Sequence, residues 1–440
     1  MKRRTVRRGA WIGRVSAALL TGLAYAVVPA AAQDSVPQPG GVRLTLRYDP
    51  GNRPSLVIVP GAGMDSVRAI LKRDLDFSDR FETIVQPDGA TAPAGPAGPL
   101  NYALYRNFGA AFALEIAQSG TQAMVRLHDV NGGRVLNTME TRFADAADPA
   151  LRVQVHRASD EVVRWVTGTP GVAATRIAYV SGGRIMLMDF DGAGITALTP
   201  AGETALSPAW SPTADRIAYT RLDEGRGPVL IRRLSGGAPQ AVPGTEIALN
   251  ITPMFSPDGQ FLAYAQAGEQ GTNIQVANVS DMCCVQRLTA GRFADNLSPT
   301  YAPDGQRIAF VSTRAGPPQI YVMEANGTNA ELLVPFDYGV TGSSNAPEWS
   351  PDGVSLAFHR EVSGGPQIFV LDVAGRRLKQ LSSSGRNEDP TWAPDGRHIA
   401  FVSDRTGQRQ VWVIDIETGR VRAITTGGAA RLPAWSRRLP

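Results

Sequence analysis

The sequence predicts a mixed fold: a small α/β domain, then an all-β six-bladed propeller with one blade closed by both ends of the repeat array. Three observations predict it. A Pro-x-aromatic segment recurs about every 45 residues from residue 208 onward. The array starts with the second half of a repeat and ends with a first half, and residues 42–168 lack the period. About 45 residues is the length of one four-stranded blade.

Residues 1–32 have the composition of a secretory signal peptide. They contain six basic residues and no acidic one, followed by an apolar run from Ala17 to Val28 and by three alanines that end at Ala32. This order is typical of a signal that is removed after export. Because the apolar run is shorter than the ~20 residues of a membrane span, we expect cleavage after Ala32 and no membrane-spanning segment in the mature chain.

Residues 33–168 are predicted to form the α/β domain. The amphipathic helix has its apolar residues on one face after an N-terminal Asp, Asn131-Gly132-Gly133 is a hairpin signal, and Gly168 is a typical helix end. The expected elements are strands at 42–48, 55–59 and near 81–85, a helix at Asp65–Leu75, a loop at 90–100, paired strands at 121–130 and 134–143, and a helix from Asp148 to Gly168.

Residues 169–440 are predicted to form the propeller. An aromatic residue follows each repeat proline by two positions, where it can fill the space between neighbouring sheets. These aromatic residues are Trp210, Phe255, Tyr301, Trp349, Trp392 and Trp435. The Ser-Pro-Asp-Gly segments that follow predict reverse turns. Arg176–Tyr179 lacks the first half of a repeat and Pro433–Ser436 lacks the second, so one shared blade would close the ring.

The charge distribution argues against nucleic-acid binding. Six of the 44 basic residues lie in 1–32, and all 40 acidic residues lie outside it, so the mature chain is slightly acidic. A protein that binds nucleic acid needs a basic surface stripe, and the sequence has none.

The only two cysteines are adjacent, at Cys283 and Cys284. They cannot join distant parts of the chain. In an oxidising compartment they either pair with each other as a vicinal disulfide or stay free. A redox pair and two small residues in a turn are both open interpretations.

In its order of signal, small α/β domain and six-bladed propeller, the sequence resembles the TolB family, the periplasmic component of the Tol-Pal system of Gram-negative envelopes. The resemblance rests on the Pro-x-aromatic-Ser/Ala-Pro-Asp-Gly repeats, on Thr175–Val180 and on Pro433–Ser436. It implies a periplasmic, non-enzymatic adaptor, monomeric alone and without cofactor or metal. Such an adaptor would support outer-membrane integrity and constriction during cell division.

The resemblance also implies two partner sites. A TolA-like inner-membrane protein would bind the mature N-terminus at Val42, Arg43, Leu44, Thr45 and Leu46, whose alternation suits a strand added to a partner's sheet. An internal strand of the α/β domain is the alternative. The extension Gln33 to Gly41 departs from the family pattern.

A Pal-like peptidoglycan-associated lipoprotein would bind the propeller face formed by the loops before each Pro-x-aromatic. The expected contact residues are Leu249, Asn250, Asn296, Asn345 and Asn387. Leu249 stands where the family has a histidine. Turn chemistry is the alternative explanation for the asparagines, because Asn favours loops for local reasons.

An enzyme is the main alternative class. The sequence has no Gly-x-Ser-x-Gly nucleophile motif, and its four histidines have no zinc-binding spacing. The repeated acids Asp258, Asp304, Asp352 and Asp395 belong to separate turns, whereas one Ca²⁺ needs six to eight converging oxygens. A small-molecule binder that uses the propeller channel is the other alternative.

Overall fold

The structure is a computed structural model that describes residues 53–60, 63–84, 100–119, 121–291, 293–333 and 342–439. These residues all belong to one compact unit. The expected signal peptide and the segment Val42 to Leu46 lie outside them, as does most of the loop expected at 90–100.

The α/β domain is a five-stranded mixed sheet with three helices. Its elements are β1 Ser55–Ile58, α1 Asp65–Phe77, β2 Glu82–Ile84, α2 Tyr102–Asn107, β3 Phe112–Ser119, β4 Gln122–Asp129, β5 Arg134–Thr141 and α3 Ala150–Thr167. The strand order is β2-β1-β3-β4-β5, with β1 parallel to both neighbours and β3, β4 and β5 antiparallel. Leu71 and Leu75 of α1 pack with Val155 and Val162 of α3 in a core beneath the sheet.

Three details differ from the sequence prediction. The short helix α2 and the strand β3 were not predicted. Asp65 does not cap α1, because Met64 occupies the cap position with φ 57° and Asp65 is the first helical residue. Asp65 instead forms an exposed ion pair with Arg68 at 2.7 Å.

The propeller has six four-stranded antiparallel blades, as predicted. The first strands after the α/β domain are β6 Arg176–Ser181, β7 Arg184–Asp189 and β8 Thr196–Ala197. Blade I contains β9 Thr204–Trp210, β10 Arg216–Leu222, β11 Val229–Arg233 and β12 Gln240–Ala241. Blade II contains β13 Asn250–Phe255, β14 Phe261–Gly268, β15 Gly271–Asn278 and β16 Cys283–Arg287. Blade III contains β17 Asn296–Tyr301, β18 Arg307–Ser312, β19 Gln319–Glu324 and β20 Glu331–Leu332.

Blades IV to VI complete the ring. Blade IV contains β21 Ser344–Trp349, β22 Ser355–Val362, β23 Gly365–Asp372 and β24 Arg377–Gln380. Blade V contains β25 Asn387–Trp392, β26 His398–Ser403, β27 Gln410–Asp415 and β28 Val421–Ala423. Blade VI is the shared blade: the last strand, β29 Ala430–Trp435, pairs antiparallel with β6 in the sheet order β29-β6-β7-β8. The prediction of closure by the two ends is confirmed.

The repeat aromatics pack between the blades. Five of the six are buried, and Tyr301 is partly buried. Their indole nitrogens also join adjacent blades, since Trp210 donates to the carbonyl of Ala434 at 3.0 Å and Trp392 to that of Glu348 at 3.1 Å. At these two junctions, between blades VI and I and between blades IV and V, the blades are held together by both apolar contact and hydrogen bonding.

Every inner strand contains a bulge at its repeat proline. The residue before that proline has φ between 49° and 53° in all six blades, and the strand pairing shifts there. These residues are Ser207, Thr252, Ser298, Ala346, Asp389 and Leu432. Proline has no N–H to donate to the ladder, so a bulge at this point loses little pairing and bends the inner strand around the central channel.

Candidate partner-binding face

The alternating strand direction gives the propeller two different ends. The Ser-Pro-Asp-Gly turns, together with the turns between third and fourth strands, lie at one end, here named the turn face. The loops that run from the outermost strand of one blade to the inner strand of the next lie at the other end, here named the loop face. The hairpins between second and third strands also lie on the loop face, because neighbouring strands are antiparallel.

The α/β domain contacts the turn face through a buried carboxylate. Asp79 is fully buried and lies 3.0 Å from Arg420 and 2.5 Å from Arg422, while its third partner His398 is at 3.3 Å. Although burial raises it, the hydrogen bond from His398 and the charge of Arg422 hold the pKa of Asp79 below its ordinary value. Asp79 is therefore charged at neutral pH and forms ion pairs with blade V.

A second ion network joins helix α3 to blade VI. Arg152 donates to Asp189 at 2.7 Å and to Asp191 at 2.9 Å. His156 lies 2.8 Å from Asp74 of α1 and 3.5 Å from Asp189. Burial lowers the pKa of His156, but hydrogen bonds with Asp189 and Asp74 outweigh it and raise the pKa to about 9. The imidazole is therefore protonated at neutral pH.

The fold thus brings two of the isolated histidines into clusters that the sequence did not reveal. Donor atoms of Asp79, His398 and Asp415 lie within 4.8 Å of one another, as do those of His156, Asp189 and Asp191. Guanidinium groups already neutralise these carboxylates, as Arg397 does for Asp415 at 2.5 Å. We therefore assign both clusters to the contact between domain and propeller, which covers part of the turn face.

The turn acids behave as the turn interpretation predicts. Asp258 accepts hydrogen bonds from Ser256 at 2.5 Å and from the backbone N–H of Gln260 at 3.0 Å, both inside its own turn. In the fifth blade, Asp395 binds the backbone N–H of Arg397 and the ring of His398. Each acid serves its own turn.

On the loop face, the expected ring of exposed asparagines is not found. Asn250, Asn296 and Asn387 hold equivalent positions as the first residues of their inner strands, but all three are fully buried. Asn345 is one position out of phase, because it precedes its proline by two residues instead of three, and the buried Ser344 holds the equivalent place. The assignment of these residues as partner contacts stays a prediction, and the three buried amides could affect a partner only through the loops that they hold.

The buried amides hold the inter-blade loops in place. Asn250 donates to the carbonyls of Thr245 at 2.7 Å and Ala248 at 2.9 Å, and Asn387 donates to those of Ser384 and Gly385 at 3.0 and 3.1 Å. An amide that satisfies carbonyls of a loop replaces the pairing that the loop lacks. These asparagines therefore fix the shape of the loop face from beneath.

Leu249 is also partly internal. It is half-buried, and its backbone forms an isolated bridge to Gly227 of the neighbouring hairpin. A Cβ atom on Gly227 would lie 2.8 Å from Leu249 Cδ1, so the glycine permits this close approach. Leu249 therefore helps to join the loop before blade II to blade I.

Two exposed apolar side chains mark the loop face. Ile247 is 84% exposed and Phe293 85% exposed, well above the other large apolar side chains in the described part of the chain. They lie in successive inter-blade loops, 242–249 and 288–295. The loop that carries Phe293 contacts blade II, because the backbone N–H of Phe293 donates to the carbonyl of Gln270 at 2.8 Å.

The sequence analysis missed these two residues. Both stand outside the repeat motif, in polar segments that end before an inner strand, as in Thr245-Glu246-Ile247 and Gly291-Arg292-Phe293. A bulky apolar residue in such a segment is a detectable signal, because nothing in a turn requires it. Contiguous exposed apolar surface is a frequent feature of protein interaction sites, so two such side chains on successive loops make the loop face a candidate.

The central channel contains a cavity of about 790 Å³ between the two faces. The inner strands line it, and Glu348 and Asp389 are the carboxylates in its wall. Burial raises the pKa of Glu348 to about 7 and that of Asp389 to about 6. Glu348 accepts hydrogen bonds from the backbone N–H of Trp392 at 3.0 Å and from Thr391 at 3.1 Å.

Two other predicted sites have different outcomes. The segment Val42, Arg43, Leu44, Thr45 and Leu46 lies outside the described residues. Cys283 and Cys284 are joined as a vicinal disulfide at the start of β16.

Among the described residues, no helix combines the length and apolarity needed to cross a bilayer.

These features define a class of protein: a closed six-bladed propeller with an α/β domain that, in the described part of the chain, is bound to one face and leaves the other uncovered. A family model described as the TolB beta propeller domain matches residues 163–337 and 338–438, which is more than half of the chain. The chain belongs to the TolB β-propeller family.

Comparisons with single proteins agree with this assignment. The chain is 32% identical over 189 residues to the Tol-Pal system protein TolB of Methylococcus capsulatus, covering 40% of this chain and 44% of that protein. It is 32% identical over 241 residues to the protein of that name from Anaeromyxobacter dehalogenans, covering 52% and 54%. The match spans about half the length of these curated relatives.

A solved structure agrees on the fold. TolB from Acinetobacter baumannii superposes with a TM-score of 0.74 at 23% identity, covering 89% of this chain and 98% of that one. The similarity extends over the α/β domain as well as the propeller, because the coverage exceeds the length of the propeller alone.

Proposed function

We propose that the protein is a non-enzymatic periplasmic adaptor of a Tol-Pal-like envelope system. A Pal-like lipoprotein would bind the loop face of the propeller, and a TolA-like inner-membrane protein would bind the mature N-terminus. By joining the two, the adaptor would support outer-membrane integrity and constriction during cell division. Relatives named Tol-Pal system protein TolB support this proposal.

One observation carries the assignment of the Pal-like site. The α/β domain contacts the turn face, whereas the loop face displays Ile247 and Phe293 on neighbouring loops. Apolar anchors near the centre of an interface supply most of the binding energy in many protein complexes. Contact would therefore depend on these two side chains, while the buried asparagines would act indirectly by holding their loops.

The test compares two matched pairs of substitutions. We expect Ile247→Ala with Phe293→Ala to weaken binding of a soluble Pal-like domain by about 2 kcal/mol or more, measured by calorimetric titration. Ile195 and Val354 are 52% and 54% exposed on the turn face and provide the control pair. Equal affinity of both double variants would contradict the assignment to the loop face.

The N-terminal site is tested by deletion. Removing residues 33–48 is expected to abolish binding of a TolA-like protein and to leave binding of the Pal-like domain unchanged, because the two sites use different parts of the chain. A surface-binding assay with both partners measures this. Loss of both interactions in a folded variant would refute the division of labour.

A small-molecule binder remains the second candidate function, and the channel favours it. The cavity has the size of an ordinary ligand pocket. Two carboxyl groups with raised pKa values, Glu348 and Asp389, face it from adjacent blades. Mass spectrometry of the native protein from its own source would test this function: a stoichiometric bound molecule, lost in Glu348→Gln, would support it.

A further inference from the structure

We propose that Cys283 and Cys284 form a thiol–disulfide exchange site that accepts electrons from dithiols, and that its reduction loosens the loop displaying Ile247. The exchange reaction does not depend on the proposed function. An effect of reduction on partner binding does rest on the proposed function, since the loop belongs to the face assigned to the Pal-like partner.

The disulfide is placed for reaction rather than for stabilising the fold. It joins neighbouring residues whose Cα atoms are 3.8 Å apart, so it closes only a small ring and constrains little of the unfolded chain. β16 is the outermost strand of blade II, and Cys284 is exposed while Cys283 is partly buried. A thiolate in solution can therefore reach the sulfur of Cys284.

The strand pairing breaks where the disulfide lies. Asn278 pairs with Cys283 and Val276 pairs with Gln286, so Cys284 and Val285 together face the single residue Ala277. This is a bulge, and Cys284 has φ 61° within it. Left-handed backbone is unfavourable for a residue with a side chain. Opening the ring would free Cys284 to leave this conformation and shift the pairing of β16.

The bulge lies close to the loop that carries Ile247. A Cβ atom built on Gly244 would lie 3.5 Å from Val285 Cγ2, so the loop backbone passes near the Val285 side chain. The carbonyl of Gly244 accepts a hydrogen bond from Gln266 at 3.0 Å, and Gln266 also donates to Asn250 at 2.9 Å. Val285 and Asn250 thus support the two sides of one loop, and movement of β16 removes the first support.

The exchange reaction balances in two steps. A thiolate of the dithiol attacks the sulfur of Cys284, the S–S bond breaks, and Cys283 leaves as a thiolate that takes a proton. The second thiol of the reductant then attacks the mixed disulfide and releases Cys284, which is also protonated. Two electrons pass from the dithiol to the cysteine pair, and the reductant leaves as its disulfide.

The first measurement uses the native mature chain, treated or not with dithiothreitol and then labelled with N-ethylmaleimide. We expect no label without reductant and two labels after it, located by mass spectrometry at Cys283 and Cys284. Phenylarsine oxide, which bridges two neighbouring thiols with loss of water, should bind the reduced protein only. Labelling without reductant, or only after denaturation, would overturn the exchange site.

The second measurement follows amide hydrogen exchange in both redox states. Reduction should cause loss of protection in 283–287 and in 243–249, and no change in the equivalent loop 381–386 between blades IV and V. The variant Cys283→Ser with Cys284→Ser should show this lower protection with or without dithiothreitol. Unchanged exchange in 243–249 after full reduction would overturn the coupling. Neither measurement involves a partner, so failure of the proposed function would be seen separately.

Discussion

The two faces of the propeller are built from one repeat but have opposite chemistry. On the turn face, buried charges from two domains neutralise one another, as Asp79 and Arg422 do. On the loop face, buried amides such as Asn250 bind loop carbonyls, and Ile247 stands in solvent. The repeat therefore determines the strands, whereas the residues between strands decide which face binds the α/β domain and which presents apolar side chains to solvent.

The largest effect is expected where a buried charge on the turn face loses its partner. Asp79→Ala would leave Arg420 and Arg422 without this buried carboxylate, at a cost of about 3 to 5 kcal/mol in the free energy of unfolding. Chemical denaturation with calorimetry measures it. Asp65→Ala is the control, because its carboxylate is 91% exposed and its ion pair with Arg68 is worth at most about 1 kcal/mol. Equal losses in the free energy of unfolding for Asp79→Ala and Asp65→Ala would contradict the larger stabilising role of the buried ion pair.

An intermediate effect is expected on the loop face. Asn250→Ala would leave the carbonyl of Thr245 without its amide donor and would remove one of the two donors to the carbonyl of Ala248, which costs about 1 to 3 kcal/mol. Hydrogen exchange in 245–248 should rise together with the loss of stability. Asn345→Ala should change stability by less than about 0.5 kcal/mol, because this amide makes a single 3.3 Å bond to Ser343. A loss of stability in Asn345→Ala as large as that in Asn250→Ala would show that Asn345 also holds its loop in place.

The smallest effect is expected in the channel between the faces. Burial raises the pKa of Glu348 from 4.5 to about 7, so the folded state binds a proton that the unfolded state releases in this window. The stability from this group is present below pH 4.5 and is lost as pH rises towards 7. Because Glu348 lines the channel and is only partly buried, we expect a loss on the order of 1 kcal/mol.

Thermal unfolding at several pH values between 4.5 and 7.5 tests this assignment with Glu348→Gln, which keeps the acceptor for Trp392 but cannot ionise. The variant should lose less stability than the parent as pH rises. The exposed Glu331→Gln serves as the control and should follow the parent. A parent and a Glu348→Gln variant with the same pH profile would show that the channel carboxylate is well solvated.

The fold was largely predictable because its signals are local and repeated. Each Pro-x-aromatic segment and Ser-Pro-Asp-Gly turn carries its own strand and turn chemistry, and six copies make the period plain. In the α/β domain the amphipathic helix and the hairpin were found, but α2 and β3 were missed. α2 is only six residues long, too short to show a clear period.

The candidate site was less predictable. Asn250 and Asn296 were correctly identified as equivalent positions. The sequence pattern of an asparagine before a strand is the same, however, whether its amide faces solvent or binds its own loop. Asn345 shows the limit of the pattern, since a shift of one residue along a strand moves a side chain to the other face.

The amino-acid sequence by itself determined the number of blades and the closure of the ring, because period and half-repeats are properties of the chain alone. Only the tertiary structure decided that His398 lies beside Asp79 and His156 beside Asp189, since these pairs join residues far apart in the chain. It also decided which asparagines are buried and that Val285 lies close to the loop of Ile247. Burial and charge pairing depend on what the whole fold places nearby, and no local pattern encodes that.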